Sequence, residues 1–331
     1  MDISTVDEAR GAIELSASLS ADEAAVLSRG AWLRMARILG VDESGVRERA
    51  ERMFTEAEIA AALGGVAMHN AAAQALEALG MTFVLSPECE LVGAYAEGGP
   101  LSCRVRAYPV PDMELDLDEP IARTSAEKTT PRKGGIVPGD KKGEADAVSA
   151  SEAPNAAEGD AAPADGEPPA TERDAGTLDP EAAETSGGDG SDGELVRRAL
   201  RARLHGVIPG ALAEAAARER RAAFDRELAD AGVTYREYRI EHGVKPAEVD
   251  ARLREEALAQ LEEDIALDLV FLRKGLAASE DDEHAVLSRI ASGREDDARR
   301  EFLETGRGYL IAQKARRRAA LRWAAENLIA G

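Results

Sequence analysis

Residues 246–275 read PAEVDARLREEALAQLEEDIALDLVFLRKG and contain the clearest periodic pattern in the chain. Because an α-helix has about 3.6 residues per turn, an apolar residue at every fourth position forms a stripe that drifts slowly around a helix. Pro246 suits the first turn of such a helix, and Gly275 suits its end. The pattern predicts one long helix that contacts several neighbours in an open helical framework. The stripe consists of Val249, Leu253, Ala257, Leu261, Ile265 and Leu269.

Helical signals continue on both sides of this stretch, from residue 194 to residue 331. Thr234 and Glu237 have the spacing of a capping box, in which side chains bind the free N–H groups at a helix start. Glycine or proline stands near most of the expected boundaries. We therefore predict an all-helical domain over 194–331. Its other helices are expected at 195–207, 209–231, 279–292, 295–305 and 309–330, together with a short helix that Thr234 caps and Gly243 ends.

Residues 1–121 predict a small α/β domain instead. Ala12–Ser18 alternates between apolar and polar side chains, as strands do. Ser20 and Glu23 form a second capping box, at the start of a helix that ends at Gly40. Two more helices are expected, separated by a turn at Gly64-Gly65, and a hairpin turn is expected at Gly98-Gly99. The remaining predicted elements are helices at Val46–Leu63 and Val66–Leu79 and strands at Thr82–Leu85, Leu91–Glu97 and Leu101–Tyr108.

The composition changes between these two ranges. Residues 122–193 contain no Phe, Tyr, Trp or Cys, and they hold seven of the 14 prolines and 11 of the 30 glycines. So little apolar surface cannot offset about 1–2 kcal/mol of backbone entropy per ordered residue. We predict a disordered acidic linker here, which is either an inert spacer or an acidic tail for a partner. The fold class is therefore α+β: a small α/β domain, a disordered linker and an all-helical domain.

The charge distribution argues against nucleic acid as a partner. Residues 1–121 hold nine Arg, no Lys and 21 acidic residues, and residues 122–193 hold seven basic and 16 acidic residues. Nucleic acids are polyanions bound largely through Lys and Arg, so these two ranges should repel them. Residues 194–331 are nearly neutral, with 25 basic and 26 acidic residues. We expect no DNA-binding function.

Several further functions are disfavoured by the sequence. The start, MDISTVDEARGAIEL, has neither the basic nor the apolar region of a secretory signal, and no run of about 18 apolar residues occurs. We expect a cytoplasmic protein with no membrane partner. Cys89 and Cys103 could form a disulfide across a hairpin, but two reduced core cysteines are favoured. The histidines and carboxylate pairs form no recognisable metal-binding or catalytic group, so no cofactor, metal or catalytic residue is predicted.

The element order of the N-terminal range resembles a known family. A strand, three helices, a hairpin and a proline-rich exit are similar to the ribosome-binding N-terminal domain of trigger factor, a ribosome-associated chaperone. Particular positions in its second half are also similar. They are Leu79-Gly80-Met81, Glu90-Leu91, Gly99-Pro100-Leu101 and Tyr108-Pro109-Val110-Pro111.

The C-terminal range resembles the chaperone domain of the same family more closely. The similar positions are Val207-Ile208-Pro209, Leu228-Ala-Asp-Ala-Gly232, the stretch from Ala257 through Leu272, and Trp323-Ala-Ala-Glu-Asn327. The resemblance implies an ATP-independent chaperone that holds unfolded or nascent polypeptides in the cytoplasm. The resemblance covers roughly residues 10–121 and 194–330.

Two features of the family's pattern are altered. The family docks on the ribosome through a loop of the form Phe-Arg-x-Gly-Lys-x-Pro, and the equivalent stretch here lacks the Phe, the Lys and the Pro and is acidic. The family also inserts an FKBP-like prolyl isomerase domain, whose aromatic pocket cannot form in residues 122–193. The chain is therefore expected to be a divergent member that is not an enzyme and whose ribosome contact is weakened. The altered stretch consists of Leu39, Gly40, Val41, Asp42, Glu43, Ser44 and Gly45.

The helical range supplies the candidate contacts for polypeptide clients, all of them aromatic. A different hypothesis is an adaptor whose helical range docks one dedicated partner, and a prolyl isomerase ranks third. A basic run in the last helix would either meet an anionic partner or belong to a helix packed on one face. The client-contact candidates are Tyr235, Tyr238, Phe271, Phe302 and Tyr309, and the basic run is Lys314, Arg316, Arg317, Arg318 and Arg322.

Overall fold

The computed structural model describes residues 1–9, 11–122 and 190–330. The described residues contain a small N-terminal sheet with three helices, followed by a helical region, so the predicted α+β class is confirmed. The predicted linker falls mostly on residues 123–189, which lie outside the described residues.

The N-terminal sheet has four antiparallel strands in the order β1-β2-β4-β3. They are β1 (Asp2–Ala9), β2 (Ala12–Leu19), β3 (Glu88–Leu91) and β4 (Leu101–Ala107). Alternate side chains of β2 and β4 are buried, which confirms the two strands predicted from alternation. Strand β1 was missed because its sequence, DISTVDEA, is polar and lacks that alternation.

The other two predicted strands, Thr82–Leu85 and Leu91–Glu97, are wrong, because most of their residues do not form a strand. In Thr82–Leu85 only Phe83 forms a bridge, with Pro109. The stretch Leu91–Glu97 is almost entirely loop, since β3 ends at Leu91 and Gly93 adopts a φ of 90°. Val84 and Leu85 are nevertheless buried, so their apolar character reflects a core position in a loop.

Three helices follow β2: α1 (Ala21–Leu39), α2 (Val46–Met53) and α3 (Glu56–Leu79). The capping box of Ser20 and Glu23 is present, as predicted. The helix predicted at 46–63 is wrong, because Thr55 and Glu58 form an unrecognised capping box that starts α3. The turn predicted at Gly64-Gly65 is also wrong: both residues lie within α3, where a side chain on Gly64 would meet the Tyr95 ring.

Helix α3 is also the one described helix that is long and apolar enough to cross a membrane by length and composition. About half of its most apolar window, 56%, is buried within the protein. Its buried face includes Leu63, Ala67, Ala71 and Ala75, so it has the properties of a core helix.

The C-terminal region contains seven described helices and one short strand. The helices are α4 (Gly190–Ala202), α5 (Gly210–Asp230), α6 (Tyr235–His242), α7 (Pro246–Arg273), α8 (Glu280–Ile290), α9 (Glu295–Glu304) and α10 (Gly308–Leu328). Strand β6 (Leu204–His205) pairs with β5 (Glu114–Leu115). Most bounds agree with the predicted helices within about two residues, but the first predicted helix, at 195–207, is wrong at both ends. Helix α4 ends at Ala202, and its start at Gly190 makes the last four residues of the predicted linker helical. Val196 and Leu200 are fully buried and hold this helix in place.

The fourfold stripe of α7 is buried at all six positions, as predicted. Val249 and Leu253 belong to a cluster with α5 and α6, which we call the α5–α7 cluster. The other four belong to the central core, where α7 meets α4 and α10. The drift of the stripe therefore lets one helix serve two separate clusters. The full α5–α7 cluster is Phe224, Leu228, Tyr238, Val249 and Leu253.

The central core is built from both ends of the described chain. Val84, Tyr108 and Leu115 from the N-terminal range lie in the same buried cluster as Leu200 and Ile265 from the helical range. The two ranges belong to one compact unit. The separate domains 1–121 and 194–331 remain a prediction, and in the structure they share apolar contacts.

A second contact joins α1 and α3 to the end of α9. A Cβ atom on Gly30 would lie 1.9 Å from the backbone oxygen of Glu304, so the two backbones touch directly. Asn70 donates to that same oxygen at 3.3 Å and to the Leu27 carbonyl at 2.9 Å. Arg37 binds the Glu304 carboxylate at 2.6 Å. This contact depends on close backbone approach, for which glycine is required.

Gly30→Ala and Gly65→Ala form a matched test of this contact. Both residues lie inside helices, but nothing lies within 4 Å of a Cβ on Gly65. Gly65→Ala should raise the free energy of unfolding by about 0.5–1 kcal/mol through helix propensity. Gly30→Ala should instead lower it by about 1–3 kcal/mol, because the methyl group forces the backbones apart. Urea unfolding monitored by circular dichroism measures both, and equal effects at the two positions would contradict the contact.

Candidate polypeptide-binding surface

Two arginines of the basic run of α10, Arg316 and Arg317, are largely buried in an ion network. The Arg317 guanidinium lies 2.8 Å from Asp264 and 3.0 Å from Asp268, and Arg316 lies 3.0 Å from Asp268. The Asp268 side chain is fully buried. The two arginines compensate its charge, which would otherwise be very costly to bury. The network favours the packed-helix interpretation of Arg316 and Arg317 over contact with an anionic partner.

The same arginines also bind the backbone of the N-terminal range. Arg316 donates to the Phe83 carbonyl at 2.9 Å, and Arg317 donates to the Val84 carbonyl at 2.5 Å. Gln313 donates to both carbonyls, at 3.1 Å to that of Phe83. The helical region therefore holds this loop through its main chain, with no requirement for particular side chains in the loop.

A second buried carboxylate extends the network to α8. Asp282 accepts hydrogen bonds from the Ser279 hydroxyl at 2.7 Å and from Arg322, and Arg318 lies 3.9 Å away. Burial alone would raise the pKa of Asp282, but the bonds from Ser279 and Arg322 lower it below the ordinary value. Asp282 thus stays ionised and joins the start of α8 to α10.

Residues 112–121 lie along the helical region, with strand β5 at Glu114–Leu115 and a bend at Asp118–Glu119. We define the groove that holds them by Arg203, the β6 turn through Gly206, Arg273 at the end of α7, and the end of α10 at Leu328–Ala330. Arg273 donates to the carbonyls of Met113 and Leu115, at 2.6 and 2.9 Å. Arg203 donates to the carbonyls of Glu119 and Pro120, at 2.5 and 3.0 Å.

Backbone pairing completes the contact between this segment and the groove. Glu114 and Leu115 pair with β6, and the Asp116 N–H lies 3.4 Å from the Arg203 carbonyl. Ile121 bonds in both directions: its N–H donates to Leu328 and its carbonyl accepts from Ala330. Sequence reasoning missed this segment, although its alternation of Met113, Leu115 and Leu117 with acidic residues is a strand signal.

The structure divides the predicted client-contact residues among three places. Tyr235 is half-buried beside the α5–α7 cluster, with the Arg221 guanidinium 4.5 Å from its ring centroid. Tyr238 is buried in that cluster, 5.1 Å from Phe224 in an edge-to-face arrangement. These two candidates are therefore brought together, and arginine covers the exposed side of Tyr235.

The other candidates lie elsewhere. Phe302 is fully buried in a cluster of α8, α9 and α10, and Tyr309 is half-buried against the same cluster. Burial raises the pKa of Tyr309. Phe271 is half-buried against the central core. Phe302 and Tyr238 act as core residues, and the five candidates do not form one surface.

Exposed aliphatic residues of the helical region are further candidate contacts for clients. Leu258 and Leu272 on α7 are 39% and 47% exposed, and Ile240 on α6 is 71% exposed. The two leucines are 14 residues apart, which puts them on nearly the same side of α7 and roughly 21 Å apart. Sequence reasoning weighed only aromatic residues here and so missed them.

The stretch Leu39–Gly45 forms a compact turn between α1 and α2. Gly40 ends α1 in the left-handed conformation, with a φ of 64°. Asp42 accepts hydrogen bonds from the Ser44 hydroxyl and the Gly45 N–H, both at 2.8 Å, and these bonds lower its pKa. Glu43 pairs with Arg29 at 3.4 Å. The exposed face of the turn is therefore acidic.

Cys89 and Cys103 lie on neighbouring strands as free thiols. Their partners in the register are Val105 and Leu91, so the two cysteines are diagonal neighbours on the same face of the sheet. Burial raises the pKa of Cys89 to about 12, which keeps its thiol protonated and unreactive. Among the residues that the structure describes, no group of three or more His, Cys, Asp or Glu side chains could hold a metal ion.

Asp268→Asn should destabilise the protein strongly. The substitution removes the buried negative charge that pairs with Arg316 and Arg317. In comparable buried pairs, such a loss lowers the free energy of unfolding by about 3–5 kcal/mol. Glu194→Gln is the control, because Glu194 and Arg198 form an exposed pair at 2.7 Å that contributes less than about 1 kcal/mol. Chemical denaturation measures both variants. If Asp268→Asn lowers the free energy of unfolding by no more than the control does, the network has no structural role.

Comparison with known proteins assigns a family to the helical region. Residues 194–326 match the family model described as the bacterial trigger factor protein (TF) C-terminus. No curated protein and no solved structure matches the chain. The match begins within α4 and runs nearly to the end of α10, so it contains the ion network and the residues that form most of the groove. The resemblance predicted from the sequence is confirmed there: the helical region, residues 194–326, is similar to the C-terminal domain of trigger factor.

Proposed function

We propose that the protein is an ATP-independent holdase that binds unfolded or nascent polypeptides in the cytoplasm. The observation that carries this proposal is the trigger-factor C-terminal domain at residues 194–326. Its side chains in this structure bind main-chain carbonyl oxygens, those of Phe83, Val84, Met113 and Leu115. Every polypeptide offers such oxygens, so this mode of binding suits clients of unrelated sequence.

Client contact on the helical region would use its exposed aliphatic residues. Ile240, Leu258 and Leu272 supply apolar contact without requiring the buried aromatic residues to move. The range 194–331 is nearly neutral, with 25 basic and 26 acidic residues, so clients of either charge can approach it. Tyr235, Phe271 and Tyr309, which are half-buried, would contribute at the margins of such contacts.

Suppression of aggregation by the full chain tests the holdase. At a few-fold molar excess, the protein should lower light scattering from several chemically denatured, unrelated proteins after dilution, without ATP. The variant Ile240→Gln/Leu258→Gln/Leu272→Gln should lose much of this effect, because glutamine keeps the helix propensity but removes apolar surface.

The matched control is Val26→Gln/Ile38→Gln, which removes exposed aliphatic residues from α1 in the N-terminal range. This control should protect clients as well as the wild-type chain does. Unchanged scattering with the wild-type chain would remove the holdase proposal. One stoichiometric partner recovered instead would favour the adaptor. A prolyl isomerase has the least support, because the matched family domain is the chaperone part.

Ribosome contact through the N-terminal range is proposed to be weak. The exposed residues of the Leu39–Gly45 turn include Asp42 and Glu43, and the range 1–121 contains no lysine. A surface of this charge opposes approach to ribosomal RNA.

Co-sedimentation with ribosomes tests this proposal. At about 0.15 M salt, where the Debye length is roughly 8 Å, little wild-type protein should pellet with ribosomes. Asp42→Lys/Glu43→Lys should increase the pelleted fraction by reversing the local charge, and Glu194→Lys/Glu255→Lys, which changes the net charge by the same amount, serves as the control outside the turn. Strong pelleting of the wild-type chain at that salt concentration would overturn the proposal.

A further inference from the structure

The segment 112–121 is bound to the helical region in the way a receptor binds an extended peptide. Four of its carbonyls, those of Met113, Leu115, Glu119 and Pro120, accept hydrogen bonds from two arginines. A fifth, that of Ile121, accepts from the Ala330 N–H. None of these bonds depends on which side chains the segment carries.

The side chains of the segment sort into two sets. Met113, Leu115 and Ile121 are buried, with at most 6% of their surfaces exposed, and Leu117 is half-buried. The acidic residues that flank Met113, Leu115 and Leu117 are exposed: Asp112, Glu114, Asp116 and Asp118. Peptide recognition by strand addition works in this way, since main-chain bonds provide affinity and pockets accept alternate side chains.

The groove itself is shaped for close approach of another chain. Gly206 has a φ of 136°, and a Cβ atom there would lie 3.3 Å from Cγ of Met113. The Met113 side chain therefore packs directly against the main chain of Gly206, which has no side chain to keep them apart. Strands β5 and β6 are each only two residues long, so their pairing alone is too weak to hold the segment in the groove.

We infer that this groove is a polypeptide-binding site, and that residues 112–121 occupy it as an internal substitute for a client. Its ligands are extended peptides in which apolar residues alternate with acidic or polar ones. Arg203 and Arg273 bind the carbonyls of such a peptide, and its apolar side chains replace Met113 and Leu115. The inference deepens the proposed holdase by assigning it a site and a class of client segment, and it rests on that function for its biological role.

The tethered segment competes with any external peptide. A segment joined to its site by a short connection has an effective concentration in the millimolar range, so a free peptide of equal affinity must reach similar concentrations to replace it. Weakening the internal segment should therefore strengthen the binding of a peptide in trans.

The probe is a fluorescein-labelled decapeptide with the sequence of residues 112–121, DMELDLDEPI, titrated with the full chain. Leu115→Ser, which removes a buried side chain from the internal segment, should lower the Kd of the peptide about tenfold or more relative to the wild-type chain. Glu114→Gln changes an exposed neighbour and should leave the Kd unchanged. Adding Arg273→Met to Leu115→Ser should reverse the gain, because two carbonyl bonds are lost. A peptide of the same composition with its Met and both Leu residues adjacent, MLLDEDEDPI, should bind at least about tenfold more weakly.

Hydrogen exchange on the unmodified chain gives a second test that needs no substitution. Several millimolar unlabelled peptide should speed exchange at the amides of Asp116 and Ile121, because displacement of the internal segment breaks their bonds to the Arg203 and Leu328 carbonyls. No acceleration there, or equal Kd values for the alternating and the rearranged peptides, would overturn the inference. A dimer formed by Leu115→Ser without peptide binding would also overturn it, since the groove would then exchange segments with a second copy. Peptide binding together with unchanged client scattering would leave the groove intact and refute only the holdase.

Discussion

Asp268 and Arg317 meet at 3.0 Å in the interior of the protein, and the rest of the described structure depends on this pair. The carboxylate comes from α7 and the guanidinium from α10, so their attraction joins two long helices of the central core. Arg317 also donates to the Val84 carbonyl, which extends the interaction from the helical region to the N-terminal range. A buried pair of this kind tolerates little change, because the loss of either member leaves an uncompensated charge.

The contact with Val84 is one example of a general feature of the helical region. Arg316 and Gln313 bind the same loop, while Arg273 and Arg203 bind the carbonyls of residues 113–120. An arginine offers five N–H donors in a planar fork, so it can bind two carbonyls of an extended chain at once. The apolar side chains of the bound segments then complete the central core. This framework therefore recognises polypeptide backbone within its own fold, which is the chemistry that the proposed holdase requires.

The sequence predicted the parts of the fold that depend on local signals. The stripe of α7 and the capping boxes at Ser20 and Thr234 depend on side chains only a few residues apart, and these elements lie close to where they were expected. The helix break at Thr55 has an equally local signal that was overlooked. Strand β1 pairs with the adjacent strand β2 but has a polar sequence without alternation, so no local pattern marks it. The segment 112–121 is stabilised by residues 203–205 and 328–330, far along the chain, so local patterns identify it poorly.

The site was less predictable than the fold for the same reason. Whether an aromatic residue such as Phe302 is buried, or whether Arg317 faces solvent or Asp268, depends on contacts between distant helices. The resemblance to trigger factor identified the helical region, but the groove appears only when residues 112–121 and 203–206 are brought together. Backbone carbonyls have no signature in a sequence, so a site that binds them is found from geometry.

We infer that residues 1–121 and 194–331 form one cooperative unit joined by the buried network. Native-state hydrogen exchange across a range of urea concentrations tests this most directly. Amides of β4 and of the central part of α7, residues 261–270, should open with the same free energy and the same dependence on urea, because they unfold together. Two distinct opening free energies, with β4 exchanging while α7 remains protected, would contradict the account.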